Sequence, residues 1–275
     1  MGGWNNFFME ILLTGIIFYF GAIVGSFLNV VTLRLPEEKK LTGRSSCPSC
    51  HHNLGVLDLF PLFSFLGLRG KCRYCHTKIS SRYFIIELCT GVLFAGLWLV
   101  MAPADVAGLL LFIRNCFMAS VLLVVFVIDL EYFIILDSII FSSLGVIFVF
   151  NLLLTVLTGS PLWSLNSYLG AGLVGSILGA LPFWLIWYFS KGRWMGFGDV
   201  KLGLLLGLVL GWQQIFVGYF IAVLLGGIVS TFLLAFTKKT LKSQIPFGTF
   251  LSLGTLVALL WGEKILSWYM AFLGF

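Results

Sequence analysis

The run "AGLLLFIRNCFMASVLLVVFVI", residues 107–128, carries one charge, Arg114, and shows no alternation of apolar and polar positions. A helix needs about 20 apolar residues to cross the hydrocarbon of a bilayer, whereas a barrel strand needs about ten that alternate. The run therefore reads as a transmembrane helix. The rest of the chain agrees: 60% of residues are hydrophobic and 10% charged, with a mean hydropathy of +1.06. Soluble domains are roughly half apolar and about a quarter charged. The sequence predicts an all-α polytopic integral membrane protein with about eight transmembrane helices.

Outward from 107–128, further spans fit at 11–33, 83–102, 138–158, 168–190, 202–213, 214–236 and 247–272. The span at 202–213 is too short to cross. It either meets a thinned bilayer or belongs to a re-entrant element buried in protein. The first ten residues, MGGWNNFFME, lack Lys and Arg, and no small-residue site ends the first apolar run, so no cleavable signal peptide is expected.

Nine of the 17 basic residues fall between Arg34 and Arg82. Most others sit at Lys191, Arg193 and Lys201 and at Lys238, Lys239 and Lys242. By the positive-inside rule these segments are cytoplasmic and both termini lie on the other side, where Trp4 and Trp163 suit an interfacial belt. The net charge of +6 is thus a topology signal. Nucleic acid is not expected as a partner, because there is no large basic domain.

Residues 34–82 form the largest piece outside the spans. "CPSC" at 47–50 and "CRYC" at 72–75 give C-x2-C-x21-C-x2-C. Each C-x2-C sets two thiolates on one turn, and two such turns complete a tetrahedral zinc site of Cys47, Cys50, Cys72 and Cys75. Two disulfides are the alternative, against which a reducing cytoplasm argues. Four sulfurs close the site, so the metal is expected to be structural. His51 and His52 are competing ligands that four cysteines make unnecessary. Cys89 and Cys116 read as small apolar residues buried in spans.

Of the eleven acids, Glu10, Glu37, Glu38, Asp58 and Asp105 read as solvated charges, and Glu87 and Glu263 lie in or near spans. Asp129, Glu131 and Asp137 in "VFVIDLEYFIILD" and Asp199 in "RWMGFGDVKLG" are different. Asp129 ends one span and Asp199 begins another, so both fall at the cytoplasmic membrane edge and can meet. Carboxylates beside lipid are costly and usually functional. Two held together share a proton, activate a water and protonate a leaving amine, as aspartic proteases do. The alternative is a pair of ordinary interfacial charges. Gly196 and Gly198, lacking Cβ atoms, would let a substrate backbone approach Asp199. Lys201 is either an interfacial anchor or an electrostatic partner of Asp199.

These segments resemble the bacterial type IV prepilin peptidases, a GxGD-type aspartic protease family that also N-methylates its product. The similarity runs in order through "GSFLNVVTLRLP" (25–36), "RSSCPSC" (44–50), "RGKCRYCHTKISSRYFIIEL" (69–88), "IDLEYFIILD" (128–137), "GFGDVKLG" (196–203) and "IPFGTFLSLG" (245–254). The resemblance implies cleavage of the short basic leader of type IV prepilins or pseudopilins at the cytoplasmic face of the bacterial inner membrane. It also implies methylation of the new N-terminal residue from S-adenosylmethionine. Asp129 and Asp199 match the catalytic aspartates, and the four cysteines match the zinc ligands. The expected division is a first helix at 1–33, a zinc module with the methyltransferase part at 34–82, and a peptidase domain at 83–275. Leu136 before Asp137, where the family often has proline, and "DLFPLFSFL" in the zinc loop depart from the pattern. No glycine-rich fingerprint marks a binding site for S-adenosylmethionine. Two rivals stand: a GxGD protease without methyl transfer, which has no need of the four cysteines, and a transporter or scaffold. The charge of Arg114 inside a span favours the second, unless it pairs with Glu263 or a backbone carbonyl.

Overall fold

The structure, a computed structural model, describes residues 2–236 and 245–274, with side chains from Phe7 onward. The expectations for Trp4, Lys238, Lys239 and Lys242 lie outside what is described. The chain forms two compact units, Met1–Ala102 and Pro103–Phe275. Among the described residues there is no strand beyond two isolated bridges. Among the described residues, seven helices are long and apolar enough to cross a membrane.

The first unit holds α1 (Gly2–Arg34), a 3-10 turn at Val56–Asp58, a one-turn helix α2 (Phe63–Gly67) and α3 (Ser81–Met101). Ser80 starts α3 by accepting the Arg82 N–H, and Ala102 in left-handed backbone ends it. α1 and α3 run antiparallel: the Asn29 amide donates to Tyr83 O, and Gly25 and Gly21 face Glu87 and Gly91. A Cβ on Gly25 would stand 2.7 Å from Glu87 Cα, so the "GAIVG" run at 21–25 lets the backbones touch.

The second unit holds α4 (Val106–Tyr132), α5 (Asp137–Leu157), α6 (Tyr168–Ser190), α7 (Phe197–Phe236) and α8 (Phe247–Phe272). Asp105, expected to be merely solvated, caps α4 by accepting the Gly108 N–H at 2.8 Å. Ser167 caps α6 through the Gly170 N–H at 3.0 Å. α4 is the most buried helix, and Arg114 lies on it. The Arg114 guanidinium donates to Asn151 Oδ1 at 2.8 Å and to Asn115 Oδ1 at 3.0 and 3.1 Å, with the Tyr168 ring 5.9 Å away. Neither of the partners expected for it is used; Glu263 accepts from Gln214 instead.

The 202–213 and 214–236 spans are two limbs of α7, which breaks at Gly211 (φ 75, ψ 175). Gly179 of α6 lies against Gly203 and also accepts the Tyr219 hydroxyl at 2.5 Å. In an unbroken helix those two residues would stand about 24 Å apart, so the chain doubles back at Gly211. The limb 197–210 packs on α6 through Gly203 and Gly207 against Gly179 and Gly175, and the limb 212–236 packs on α8 through Gly218 and Ala222 against Gly254. The short span is thus one limb of a helical hairpin and is largely buried within the second unit.

Candidate active site and metal centre

The acid site of the second unit is built at the ends of α4, α7 and α8. Asp129, in the last turn of α4, is buried. Its Oδ2 accepts the Thr249 N–H at 2.7 Å and the Thr249 hydroxyl at 3.1 Å. Thr249 is the third residue of α8, so Asp129 satisfies an amide that the first helical turn leaves without a partner, at the positive end of the helix dipole. A Cβ on Gly248 would stand 3.0 Å from Asp129 Oδ2 and 3.2 Å from Ile135 Cδ1, so glycine is what allows the approach. A Cβ on Gly198 would likewise stand 3.0 Å from Ile135 Cβ. Ile135 is therefore wedged between the starts of α7 and α8.

Asp199 is the third residue of α7, half-buried, and its N–H returns to Gly196 O at 3.3 Å. Ile135, packed against both Gly198 and Gly248, links the turn that carries Asp199 to the turn that holds Asp129. Gly196 is exposed and stands beside the Asp199 carboxylate, with its missing Cβ 3.8 Å from Oδ2. Asp129 and Asp199 thus stand at the N-termini of α8 and α7, with the exposed Gly196 beside Asp199.

The structure pairs Lys201 with Asp137, a partner neither sequence reading named. The ammonium lies 2.7 Å from both Asp137 oxygens and within 6 Å of the Phe141 and Phe197 ring centres, at 5.7 and 5.3 Å. Lys201 thereby ties the start of α5 to α7. Thr249 and Gly248 were missed as site residues. Their signal was a Pro-x-Gly-Thr start to an apolar run, which marks a helix N-terminus but not what it binds.

In the first unit, the sulfurs of Cys47, Cys50, Cys72 and Cys75 lie within 4.8 Å of one another. The two knuckles share one geometry. Cys47 N–H donates to His52 O and His51 N–H to Cys47 O; Cys72 N–H donates to Thr77 O and His76 N–H to Cys72 O. His51 and His76 both take left-handed backbone. Cys47 and Cys75 sulfurs are 3.8 Å apart. Zinc–sulfur bonds of about 2.3 Å in a tetrahedron require sulfurs about 3.8 Å apart, so the donor set fits. The Thr77 hydroxyl and N–H hold the Cys75 thiol down to about 6. At Cys50 the His52 N–H favours the thiolate, yet lost hydration and the neighbouring thiols push it up to about 11. A cation bound by all four would deprotonate them together. Of the two remaining cysteines, Cys116 is buried as expected, whereas Cys89 is exposed on α3.

Asp58 is likewise no free charge. Burial opposes its ionisation, but the Gly55 N–H, the Tyr74 hydroxyl and the Arg73 guanidinium, at 3.0, 3.2 and 2.6 Å, outweigh it and hold the carboxyl below its ordinary range.

Helices long and apolar enough to span, one broken helix packed through glycine, and a four-thiolate module that can hold a metal ion define a multi-pass membrane protein with polar chemistry at its helix ends. The model of the bacterial peptidase A24 N-terminal domain matches residues 19–101, and that of the type IV leader peptidase family matches residues 116–231. A prepilin leader peptidase/N-methyltransferase of Aeromonas hydrophila is 32% identical over 286 residues, covering 93% of each chain. One from Bacillus subtilis (strain 168) is 32% identical over 262 residues, covering 93% of this chain and 97% of its own. No solved structure matches. The chain belongs to the type IV leader peptidase family and is an enzyme of that family.

Proposed function

We propose that this enzyme cleaves the basic leader of type IV prepilins or pseudopilins at the cytoplasmic face of the bacterial inner membrane, with Asp129 and Asp199 as its catalytic pair. The observation that carries the reading is the placement of Asp199 at the start of α7 and of Asp129 against the start of α8, with Ile135 packed between the two helix starts. One carboxylate takes a proton from water while the water oxygen bonds to the scissile carbonyl carbon; the other, protonated, gives its proton to the carbonyl oxygen. Collapse breaks the C–N bond. The amine leaves with the first proton, and the second carboxyl recovers its own. Thr249 occupies Oδ2 of Asp129 and leaves Oδ1 for the water. The exposed Gly196 leaves room for an extended substrate backbone, whereas Gly198, expected from the sequence to do the same, has its free side taken by Ile135.

The names of the relatives support a second step, methylation of the new N-terminal amine with S-adenosylmethionine as donor. We assign that step to the first unit, which holds the 34–82 module. The four cysteines would hold zinc in a closed site that cross-links the two knuckles and leaves no position for water or substrate. The substrate is a membrane-inserted helix with a short Lys/Arg leader.

The test is co-expression with candidate prepilins and mass spectrometry of their N-termini. The enzyme yields a shortened, methylated product. Asp129→Asn and Asp199→Asn each yield full-length prepilin while still inserting and melting like the parent. Substantial cleavage by either variant removes the two-aspartate reading.

A further inference from the structure

The stretch "VLDLFPLFSFLG" at 56–67 has one charge in twelve residues and belongs to the segment that charge mapping places in water. Its position says otherwise. The rings of Phe60 and Phe63 stand 5.5 and 6.0 Å from that of Tyr19. Tyr19 lies in the apolar span Phe7–Arg34, about 22 Å along the helix from Arg34 at roughly 1.5 Å per residue. Phe65 stacks on Phe84 of α3 at 5.3 Å. The stretch therefore folds back along α1 and α3 to a depth well inside a hydrocarbon layer about 30 Å thick.

Its backbone is arranged for that depth. Irregular chain is tolerated in a bilayer only when its polar groups are satisfied from within the protein. Pro61 has no N–H. Leu59 donates to Gly55 O, Ser64 to Phe60 O, and Leu66 to Leu62 O. At the tip, Phe63 N–H closes a three-residue turn on Pro61 O at 2.7 Å, with Leu62 at φ 63 and ψ −50, a strained reversal. The tip amide, Leu62 N–H, donates to Glu87 Oε2 at 2.8 Å. This gives a use to Glu87, a buried carboxyl inside α3 that the acid site does not employ. The one charge of the stretch, Asp58, is turned back to Arg73 and Tyr74 beside the knuckle. The outward side chains are apolar: Val56 is 83% exposed, Leu57 72%, Phe63 61% and Leu66 60%. Water does not tolerate so dense a patch, whereas acyl chains match it.

We propose that residues 56–67 are a re-entrant apolar hairpin that sits in the bilayer beside α1 and α3, with Phe63 and Leu66 against lipid acyl chains and Glu87 as the latch of its tip. The hairpin seats the metal module on the membrane surface.

The test uses the full-length zinc-loaded protein in phosphatidylcholine vesicles, with trifluoromethyl-phenylalanine placed singly at Phe63, at Leu66, at Phe20 of α1 as the lipid-facing reference, and at Lys39 as the aqueous reference. Fluorine relaxation is measured with dissolved oxygen, which partitions into hydrocarbon, and with a water-soluble nickel chelate. Positions 63 and 66 are expected to show the oxygen-to-nickel ratio of position 20, severalfold above that of position 39. A ratio like that of position 39 places the hairpin in water and overturns the proposal. Protection from both probes means that protein, a second copy included, covers the face, and overturns it too. Glu87→Gln keeps the acceptor oxygen and should leave position 63 in lipid. Glu87→Leu removes it and should raise nickel access at position 63 while leaving position 20 unchanged. Equal behaviour of the two variants removes Glu87 as the latch.

Discussion

Thr249 holds Asp129 with two donors, one from its backbone and one from its side chain. Thr249→Val keeps the shape and the N–H and deletes the hydroxyl. A hydrogen bond to a charged group contributes about 1.5–3 kcal/mol, so leader cleavage should fall roughly tenfold to a hundredfold. Thr249→Ser should retain most of the rate. Initial cleavage rates on a purified prepilin check this, and a Val variant as fast as the parent would show that the contact does not orient Asp129. The Lys201–Asp137 pair should matter less. The Asp137 side chain is 57% exposed, and surface ion pairs contribute about 0–1 kcal/mol. Asp137→Asn and Lys201→Met are expected to change cleavage by less than about tenfold, in contrast to loss at Asp129 or Asp199. A full loss of cleavage in a folded Asp137→Asn would make Asp137 a member of the pair.

At the scale of elements, α7 decides the geometry, because its break brings the Asp199 limb alongside both α6 and the limb 212–236. Gly211 occupies a backbone region that is essentially restricted to glycine, so Gly211→Ala should destabilise the protein by about 1–3 kcal/mol. Thermal unfolding in detergent is the readout, and an unchanged melting temperature would contradict the hairpin. Gly207→Ala should also destabilise, for another reason: its Cβ would overlap Gly175 O. Gly203, Gly207 and Gly211 recur every four residues and look alike in the sequence. Two of them pack inside a helix and the third breaks it. Only the neighbours, α6 on one side and the returning limb on the other, distinguish these roles.

For the whole molecule, the metal should be a fold component of the first unit and separate from hydrolysis. The purified enzyme is expected to carry about one zinc per chain, as a closed four-thiolate site requires. Cys47→Ser or Cys72→Ser should lower that content and expose 34–82 to proteolysis. Chelators should act slowly on cleavage. Elemental analysis and alkylation of the native thiols check the first point, and prompt, complete inhibition by chelator with the fold intact would indicate a metalloprotease instead. The transporter reading loses the feature that favoured it. Arg114 is held by Asn115 and Asn151, and Asn151 in turn donates to Leu208 O in the last turn before the Gly211 break. The charge braces the hairpin that carries Asp199.

The sequence by itself determined the class of fold and the four cysteines that come together, and it brought Asp129 and Asp199 forward as candidates. Membrane helices announce themselves by composition and length, C-x2-C pairs by a spacing that only a tight turn satisfies, and intramembrane acids by their cost. Tertiary structure alone decided which groups answer those acids. Thr249 lies 120 residues from Asp129, Lys201 turns to Asp137, and Glu87 reaches Leu62 across the loop. It also decided that 202–213 is half of a hairpin and that 56–67 runs back along α1. The reason is physical. Local patterns report what a residue costs in water or lipid, whereas partners are chosen by packing, and glycine contacts between helices set that packing by the closeness they allow.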